Sequence, residues 1–237
     1  PPLCAGGGFL CGLRFFFAPR ARRKRVHLIM QRSTGKTRAF PAFGGIVAMK
    51  LLEDRILQDA RVLPGGVLMV GSFLNQQIDP ALLREMGREV ASLFADCGVN
   101  KILTVEASGI ALACAAAMEL GVPMVFAKKH KTSNVDGSVY STPVHSFTHG
   151  NDYDMVVSRE YLRAEDRVLL VDDFLASGNA LFGLIRLVEQ AGATLCGASC
   201  AIEKRFQGGG DQLREMGVRV ESLAIVERMT DTELFFG

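Results

Sequence analysis

Apolar and polar positions along the chain alternate between two patterns. Short apolar runs, such as KILTV at 101–105 and RVLLV at 167–171, are typical of buried strands. Between such runs lie helix-length segments in which apolar residues recur three or four positions apart. Asp79 and Pro80 predict the start of one helix, and Gly98 predicts its end. This alternation predicts an α/β fold with a mostly parallel central sheet flanked by helices.

The same patterns predict most of the remaining elements. We expect helices over 109–120 and 179–191, and strands over 122–127, 154–162, 194–204 and 218–229. The polar segment 128–142 contains Asp136 followed by Gly137, which predicts a long loop or a hairpin. In sheets of this kind ligands bind beyond the carboxyl ends of the strands, so residues that follow strands are the first candidates for chemistry.

The stretch VLLVDDFLASGNA at 168–180 places two carboxylates, Asp172 and Asp173, at such a strand end. The small residues that follow let backbone N–H groups approach an anion at the start of a helix. The carboxylates suit hydroxyl groups, or a Mg²⁺ ion that accompanies a polyphosphate. Phosphoribosyl pyrophosphate combines all these features. An ordinary strand end with a polar turn is the alternative, and tandem acids also occur in response regulators and phosphatases.

This stretch resembles the phosphoribosyl-pyrophosphate signature of type I phosphoribosyltransferases. Residues 49–237 resemble the bacterial xanthine phosphoribosyltransferases over nearly their whole length. The similarity is carried by SFLNQQIDP (72–80), VEASGI (105–110), VPMVFAKKHK (122–131), VDDFLASGNA (171–180), AIEKRFQ (201–207) and RVESLA (219–224). The resemblance implies a type I phosphoribosyltransferase fold, in which a small N-terminal hood accompanies the central sheet.

The resemblance also implies roles for the acidic pair and the loops around it. Asp172 and Asp173 would be the catalytic carboxylates, holding the ribose hydroxyls directly or through Mg²⁺-bound water. The phosphate of the ribosyl donor would bind Ala176, Ser177, Gly178, Asn179 and Ala180. The broader signature usually ends Thr-Gly-Gly-Thr, so the last hydroxyl donor is missing here. The pyrophosphate loop would be Glu106, Ala107, Ser108 and Gly109, and the mobile loop would carry Lys128, Lys129 and Lys131.

A third group of residues would bind the base: Leu68, Asn75, Lys204 and Phe174. An ammonium group only donates hydrogen bonds, so Lys204 suits an oxopurine carbonyl and disfavours adenine. Asn75 can both donate and accept, which suits the 2-oxo edge of xanthine. Each assignment has a structural alternative: a strand–helix turn at 106–109, a solvated loop for the lysines, and a core aromatic for Phe174.

The implied reaction is transfer of a phosphoribosyl group to xanthine, which forms xanthosine 5′-monophosphate and diphosphate in purine salvage. Mg²⁺ would be the cofactor and the enzyme would be a cytoplasmic homodimer that binds neither nucleic acid nor membrane. Hypoxanthine, guanine or adenine is the alternative base. A transcriptional regulator that keeps this fold as an effector-binding module is the alternative from another functional class.

The first 48 residues differ from the rest in charge. They hold nine Lys or Arg and no Asp or Glu, which leaves 18 basic and 25 acidic residues in positions 49–237. We expect a basic extension at 1–48, disordered or produced by a start codon placed too early, before a phosphoribosyltransferase domain at 49–237. A nucleic-acid-binding arm and an organelle transit peptide are the alternatives. The GKT at 35–37 lacks the earlier glycine of a phosphate-binding P-loop.

Composition narrows the functional class further. The 237 residues are 49% hydrophobic and 22% charged, which predicts a packed core, and no uninterrupted apolar run is long enough to span a membrane. The six cysteines form no CxxC pair. We expect them to be small core residues of a reduced, cytosolic protein rather than disulfide partners or metal ligands.

Overall fold

The central element is a six-stranded sheet, seen in a computed structural model that describes residues 44–129, 138–145 and 152–237. In chain order the elements are α1 (Gly44–Asp59), β1 (Arg61–Leu63), β2 (Val67–Met69), α2 (Pro80–Leu93), β3 (Lys101–Val105), α3 (Gly109–Leu120), β4 (Met124–Ala127), β5 (Val139–His145), β6 (Asp152–Ser158), β7 (Arg167–Leu175), α4 (Asn179–Ala191), β8 (Thr194–Lys204), α5 (Gly209–Glu215), β9 (Val220–Met229) and β10 (Leu234–Phe236). The described residues belong to one compact unit, Ala42–Gly237.

The strand order is β10-β9-β8-β7-β3-β4. All neighbouring pairs are parallel except β10 with β9, so the predicted, mostly parallel sheet is confirmed. Strand β7 pairs with β8 on one edge and with β3 on the other. Its VLLV residues enter the two core clusters alternately, one cluster on each face of the sheet, and all four are fully buried. The carboxyl ends of β3, β7 and β8 meet at one edge, which brings three predicted site segments together.

Helices cover the two faces of the sheet. One core cluster lies between the sheet and α1, α2 and α3, and the other lies between the sheet, α4 and the β5–β6 hairpin. Helix α2 begins as predicted, because the Asp79 side chain accepts hydrogen bonds from the N–H groups of Ala81 and Leu82. Glycines in the left-handed conformation follow α3 and α4, at Gly121 and Gly192.

Several predicted boundaries were wrong. The strand predicted at 154–162 spans Asp152–Ser158, and the strands predicted at 122–127 and 218–229 each begin two residues later than expected, at Met124 and Val220. Helix α2 ends at Leu93 rather than just before Gly98. The guanidinium of Arg167 donates to the carbonyls of Cys97 (2.6 Å) and Gly98 (3.1 Å), and these contacts stabilise a turn in place of a further helical turn. The segment 128–142 was predicted to be a long loop or a hairpin, and its last residues fit the hairpin, because β5 begins at Val139 and pairs antiparallel with β6.

The N-terminal hood consists of α1, the β1–β2 hairpin and a π-helical turn at Gly71–Asn75. Its buried side chains join the core cluster that packs on the sheet. The hood also reaches the carboxyl edge of the sheet, because Lys204 Nζ at the end of β8 donates to the carbonyl oxygen of Gly66 at 2.8 Å. Residues 1–43 lie outside the described residues, so the extension at 1–48 remains a prediction.

The cysteine prediction holds only in part. Cys200 is buried and Cys114 is exposed, whereas Cys97 and Cys196 are partly buried. All four have free thiols, and Cys4 and Cys11 lie outside the described residues. None of the helices in the described ranges combines the length and apolar character needed to span a membrane.

A buried carboxylate connects β8 with α5 and β9. The Glu203 side chain is inaccessible to solvent and accepts two hydrogen bonds from the Arg214 guanidinium, at 2.7 and 2.8 Å. Ser222 on β9 donates a further, short hydrogen bond to it. Burial acts to raise the pKa of Glu203, but the bonds from Arg214 and Ser222 outweigh it, and the pKa is lowered from its ordinary value.

We therefore predict that Glu203→Gln destabilises the protein in a pH-dependent manner. Because the folded-state pKa is lowered, the ionised carboxylate contributes stability above its unfolded pKa, and this contribution is lost as the pH falls through the folded pKa. We expect a loss of about 1–3 kcal/mol in the free energy of unfolding at pH 7, since charged hydrogen bonds are removed. Urea unfolding should show a constant difference from wild type above the ordinary glutamate pKa of 4.5, and a difference that shrinks as the pH falls below it. A pH-independent difference would contradict this.

Candidate active site

The two carboxylates at the end of β7 have different surroundings, although both are nearly buried. Asp173 accepts hydrogen bonds on both oxygens, from Ser108 Oγ at 2.9 Å and from Asn75 Nδ2 at 3.2 Å. Asp172 accepts from the backbone N–H of Asp173 at 2.9 Å. Asp173 therefore links the hood to the segment after β3, whereas Asp172 has fewer hydrogen-bond donors.

This difference is reflected in the electrostatics of Asp172. Burial, and then the neighbouring charge of Asp173, raise the pKa of Asp172 well above its usual range, and Lys129 opposes this to a smaller extent. A buried, poorly solvated carboxylate is destabilising without a cationic or hydroxyl partner. The site is therefore suited to a ligand that supplies such a partner.

The loop of small residues at 176–180 follows directly and ends in the first turn of α4. Gly178 has φ +83°, a left-handed conformation that favours glycine. The Asn179 side chain donates to the carbonyl of His145 at 3.1 Å, which ties the loop to the end of β5. The loop thus presents backbone N–H groups at a helix N-terminus with little side-chain bulk.

The segment 106–109 joins β3 to α3 and contains a cis peptide bond between Glu106 and Ala107. Glu106 Oε1 accepts from the backbone N–H of Lys129 at 2.7 Å. Ser108, at the N-cap of α3, makes no capping bond with its side chain and donates to Asp173 instead. The predicted pyrophosphate loop is therefore connected to both the β4 end and the acidic pair.

The predicted lysines of the mobile loop do not share one environment. Lys129 lines the cleft beside the acidic pair, with Nζ 5.7 Å from the ring centroid of Tyr153. Lys128 instead lines a separate groove of about 720 Å³ along β4. Successive residues of an extended chain point to opposite sides, which explains the separation. Lys131 lies outside the described residues.

Of the predicted base-binding residues, Asn75 contacts the acidic pair, and Lys204 lies beside Phe174, the residue that follows the pair. Lys204 Nζ lies 5.4 Å from the ring centroid of Phe174, and Asn75 is bonded to Asp173. Burial lowers the pKa of Lys204. Leu68, in β2, is only 6% exposed and belongs to the core cluster against which Phe174 packs. A contact between Leu68 and a base remains a prediction.

The residues predicted to bind the ribosyl donor line one cleft of about 190 Å³. It is lined by the acidic pair, the loop at 176–180, Glu106, Ser108, Lys129, Phe174, and His145 and Tyr153 from the β5–β6 hairpin. Sequence reasoning missed His145 and Tyr153, because no local motif shows that the hairpin folds over the end of β7. Burial, and then the charge of Asp172, raise the pKa of Tyr153, which reflects this proximity.

Comparison with known proteins identifies the family. A family model described as a phosphoribosyl transferase domain matches residues 78–222, which include the acidic pair and both loops. The chain belongs to the phosphoribosyltransferase family. The xanthine phosphoribosyltransferase of Lachnoclostridium phytofermentans is 52% identical over 181 residues, covering 76% of this chain and 93% of that protein. The Bifidobacterium adolescentis enzyme of the same name is 54% identical over 182 residues, covering 76% and 94%.

Solved phosphoribosyltransferases share the fold of this chain. The APRTase from Giardia lamblia, complexed with 9-deazaadenine, aligns with a TM-score of 0.64 at 24% identity, covering 75% of this chain and 98% of that chain. The adenine phosphoribosyltransferase from Rhodothermus marinus aligns with a TM-score of 0.61 at 21% identity, covering 76% and 99%. At these identities the likeness concerns the phosphoribosyltransferase fold alone.

We predict that Asp172→Asn stabilises the phosphoribosyltransferase domain. The change keeps side-chain size and an acceptor for the Asp173 N–H, and it removes a buried charge beside a second carboxylate. We expect the midpoint of thermal unfolding at pH 7, with chelator and no ligand, to rise by about 2–4 °C for each kcal/mol of relief. The exposed Asp231→Asn serves as control and should leave it unchanged. A lower midpoint for Asp172→Asn would contradict the electrostatic description.

Proposed function

We propose that this protein is a xanthine phosphoribosyltransferase, which transfers the 5-phosphoribosyl group of phosphoribosyl pyrophosphate to N9 of xanthine and releases diphosphate. The observation that carries the proposal is the shared edge of the sheet, where a small-residue loop, an acidic pair and a half-buried lysine lie beside one another. Relatives about 50% identical over most of the chain carry that name.

The proposed mechanism assigns the ribosyl donor to the cleft. Backbone N–H groups of 176–180 bind the 5′-phosphate, and the loop at 106–109 binds the diphosphate. Asp172 accepts hydrogen bonds from the ribose hydroxyls and stabilises positive charge that develops on the ribose ring as its C1–O bond breaks. Asp173 holds Ser108 and Asn75 in place for their ligands. Rate enhancement then comes mainly from positioning and from fixed charges.

The base lies on the hood side in this proposal. Lys204 donates to the 6-oxygen of xanthine, and Phe174 stacks on the ring. An ammonium has three N–H donors, so Lys204 can keep its bond to Gly66 while it binds the base. In the structure Asn75 uses an N–H on Asp173, which leaves its oxygen and its second N–H for the base.

Mg²⁺ fits this donor set as an ion that arrives with the diphosphate. Within 44–129, 138–145 and 152–237, no group of three or more His, Cys, Asp or Glu side chains forms a metal site. Both oxygens of Asp173 already accept protein hydrogen bonds, so contact of the ion with Asp173 would pass through water. When bound, Mg²⁺ neutralises charge on the departing diphosphate. A homodimer in the cytoplasm completes the proposal.

The proposal predicts a preference for xanthine that depends on Lys204. Initial rates with Mg²⁺ and phosphoribosyl pyrophosphate should give the highest kcat/KM for xanthine among xanthine, guanine, hypoxanthine and adenine. Lys204→Ala should lower kcat/KM for xanthine by roughly 10–100-fold, since a charged hydrogen bond is lost. Adenine, which lacks a 6-oxygen, should lose less.

Lys50→Ala provides the matched control, because this lysine lies on α1 with its side chain 62% exposed. It should leave all four values unchanged. Equal losses for every purine in Lys204→Ala would refute the base-reading role, and absence of turnover with any purine would refute the proposed function itself.

A further inference from the structure

The loop at 176–180 has little support of its own. Its side chains are small, and the bond from Asn179 to His145 fixes only its last part. On the opposite side, the backbone N–H of Gly209 donates to the carbonyl of Ala176 at 3.0 Å. The first residue of α5 therefore contacts the first residue of the loop, backbone to backbone.

This contact is too close for any residue other than glycine. A Cβ placed on Gly209 would lie 2.5 Å from both Gly178 N and Ser177 C, and it would also collide with the Ala176 carbonyl oxygen. From the other side, a Cβ on Gly178 would lie 3.3 Å from the Gly209 Cα. Adding a methyl group at Gly209 must therefore displace either the loop or α5.

Glu203, at the end of β8, holds helix α5 in place through hydrogen bonds. Arg214, in its last turn, binds this carboxylate with two hydrogen bonds, and a Cβ on Gly210 would collide with it. In the sheet Glu203 is the register partner of Leu175, the last residue of β7 before the loop. Glu203 thus contacts both the end of β7 and α5, and α5 in turn contacts the loop through Gly209.

We infer that Gly209 is a positioning residue for the ribosyl donor, and that α5, held by the Glu203–Arg214 pair, keeps the loop at 176–180 in its phosphate-binding shape. The inference rests on the proposed function for the identity of the donor. A phosphate site made of backbone N–H groups requires that these groups point at the same anion. A displacement of the loop should therefore weaken the phosphate contact and leave the base and diphosphate contacts unchanged.

Gly209→Ala tests this inference, with Gly217→Ala as the matched control. Gly217 follows the same helix with φ +82°, so alanine is strained there, but its Cβ would meet nothing within 4 Å. For Gly209→Ala we expect the KM for phosphoribosyl pyrophosphate and the Kd for ribose 5-phosphate to rise on the order of 10–100-fold. The KM for xanthine and the Kd for diphosphate should stay within about twofold.

Gly217→Ala should lower the unfolding midpoint without changing either phosphate-dependent constant. The inference would be overturned if the KM for phosphoribosyl pyrophosphate and the Kd for ribose 5-phosphate were the same in the two variants. Should Gly209→Ala fail to fold, Arg214→Lys replaces it, since lysine keeps the charge but cannot form the paired bonds. Its Kd for ribose 5-phosphate should rise severalfold, while its Kd for diphosphate should stay the same. An unchanged Kd for ribose 5-phosphate would overturn the inference.

Ribose 5-phosphate binding separates this inference from the proposed function. Wild type that binds ribose 5-phosphate but turns over no purine would refute the function, while weaker binding in Gly209→Ala would still support the role of α5. Wild-type turnover of xanthine, combined with unaltered donor constants in Gly209→Ala, would refute the role of α5 alone.

Discussion

The site depends on a pair of adjacent carboxylates that the sheet nearly excludes from water. Strand β7 is central and covered on both faces, so its last polar residues cannot be solvated as a surface acid would be. Asp173 is stabilised by donors from the hood and from the β3–α3 segment. Asp172 accepts from the next backbone N–H and has a raised pKa. Asp172 is therefore suited to a ligand that supplies a cationic or hydroxyl partner.

Two neighbouring residues at the end of β8, Glu203 and Lys204, also have different surroundings. Lys204 faces the hood and Phe174, whereas its neighbour Glu203 binds α5 and β9. Because successive strand residues point to opposite faces, one strand end serves the base-binding side and the support of the phosphate loop. The segment 201–207 can therefore supply a proposed base-binding residue, Lys204, and a structural carboxylate, Glu203.

Much of the fold followed from local patterns. The strands at Lys101–Val105 and Thr194–Lys204 and the helices at Gly109–Leu120 and Asn179–Ala191 have the predicted bounds, because apolar runs and flanking glycines are local signals. The acidic pair and its loop were also predictable, since strand, carboxylates and small residues are contiguous.

Long-range contacts were not predictable in this way. Asn75 and Asp173 are 98 positions apart, and only the packing of the hood brings them within hydrogen-bond distance. Alternation separates Lys128 from Lys129, but which of the two faces the cleft depends on where β4 meets the hairpin. Gly209 carries no motif that would reveal its contact with Ala176. The resemblance of 72–80 to the family identified Asn75, but the π-helical turn that carries it follows from tertiary packing.

We propose that the edge formed by β3, β7 and β8 binds phosphoribosyl pyrophosphate and that the acidic pair organises this site. Titration calorimetry of phosphoribosyl pyrophosphate into wild type and Asp173→Asn, each with Mg²⁺ and with chelator, tests this proposal most directly. We expect Mg²⁺-dependent binding to wild type and weaker binding to the variant, because the contacts to Ser108 and Asn75 lose a charged acceptor. Binding that is equal in both proteins and indifferent to Mg²⁺ would contradict it.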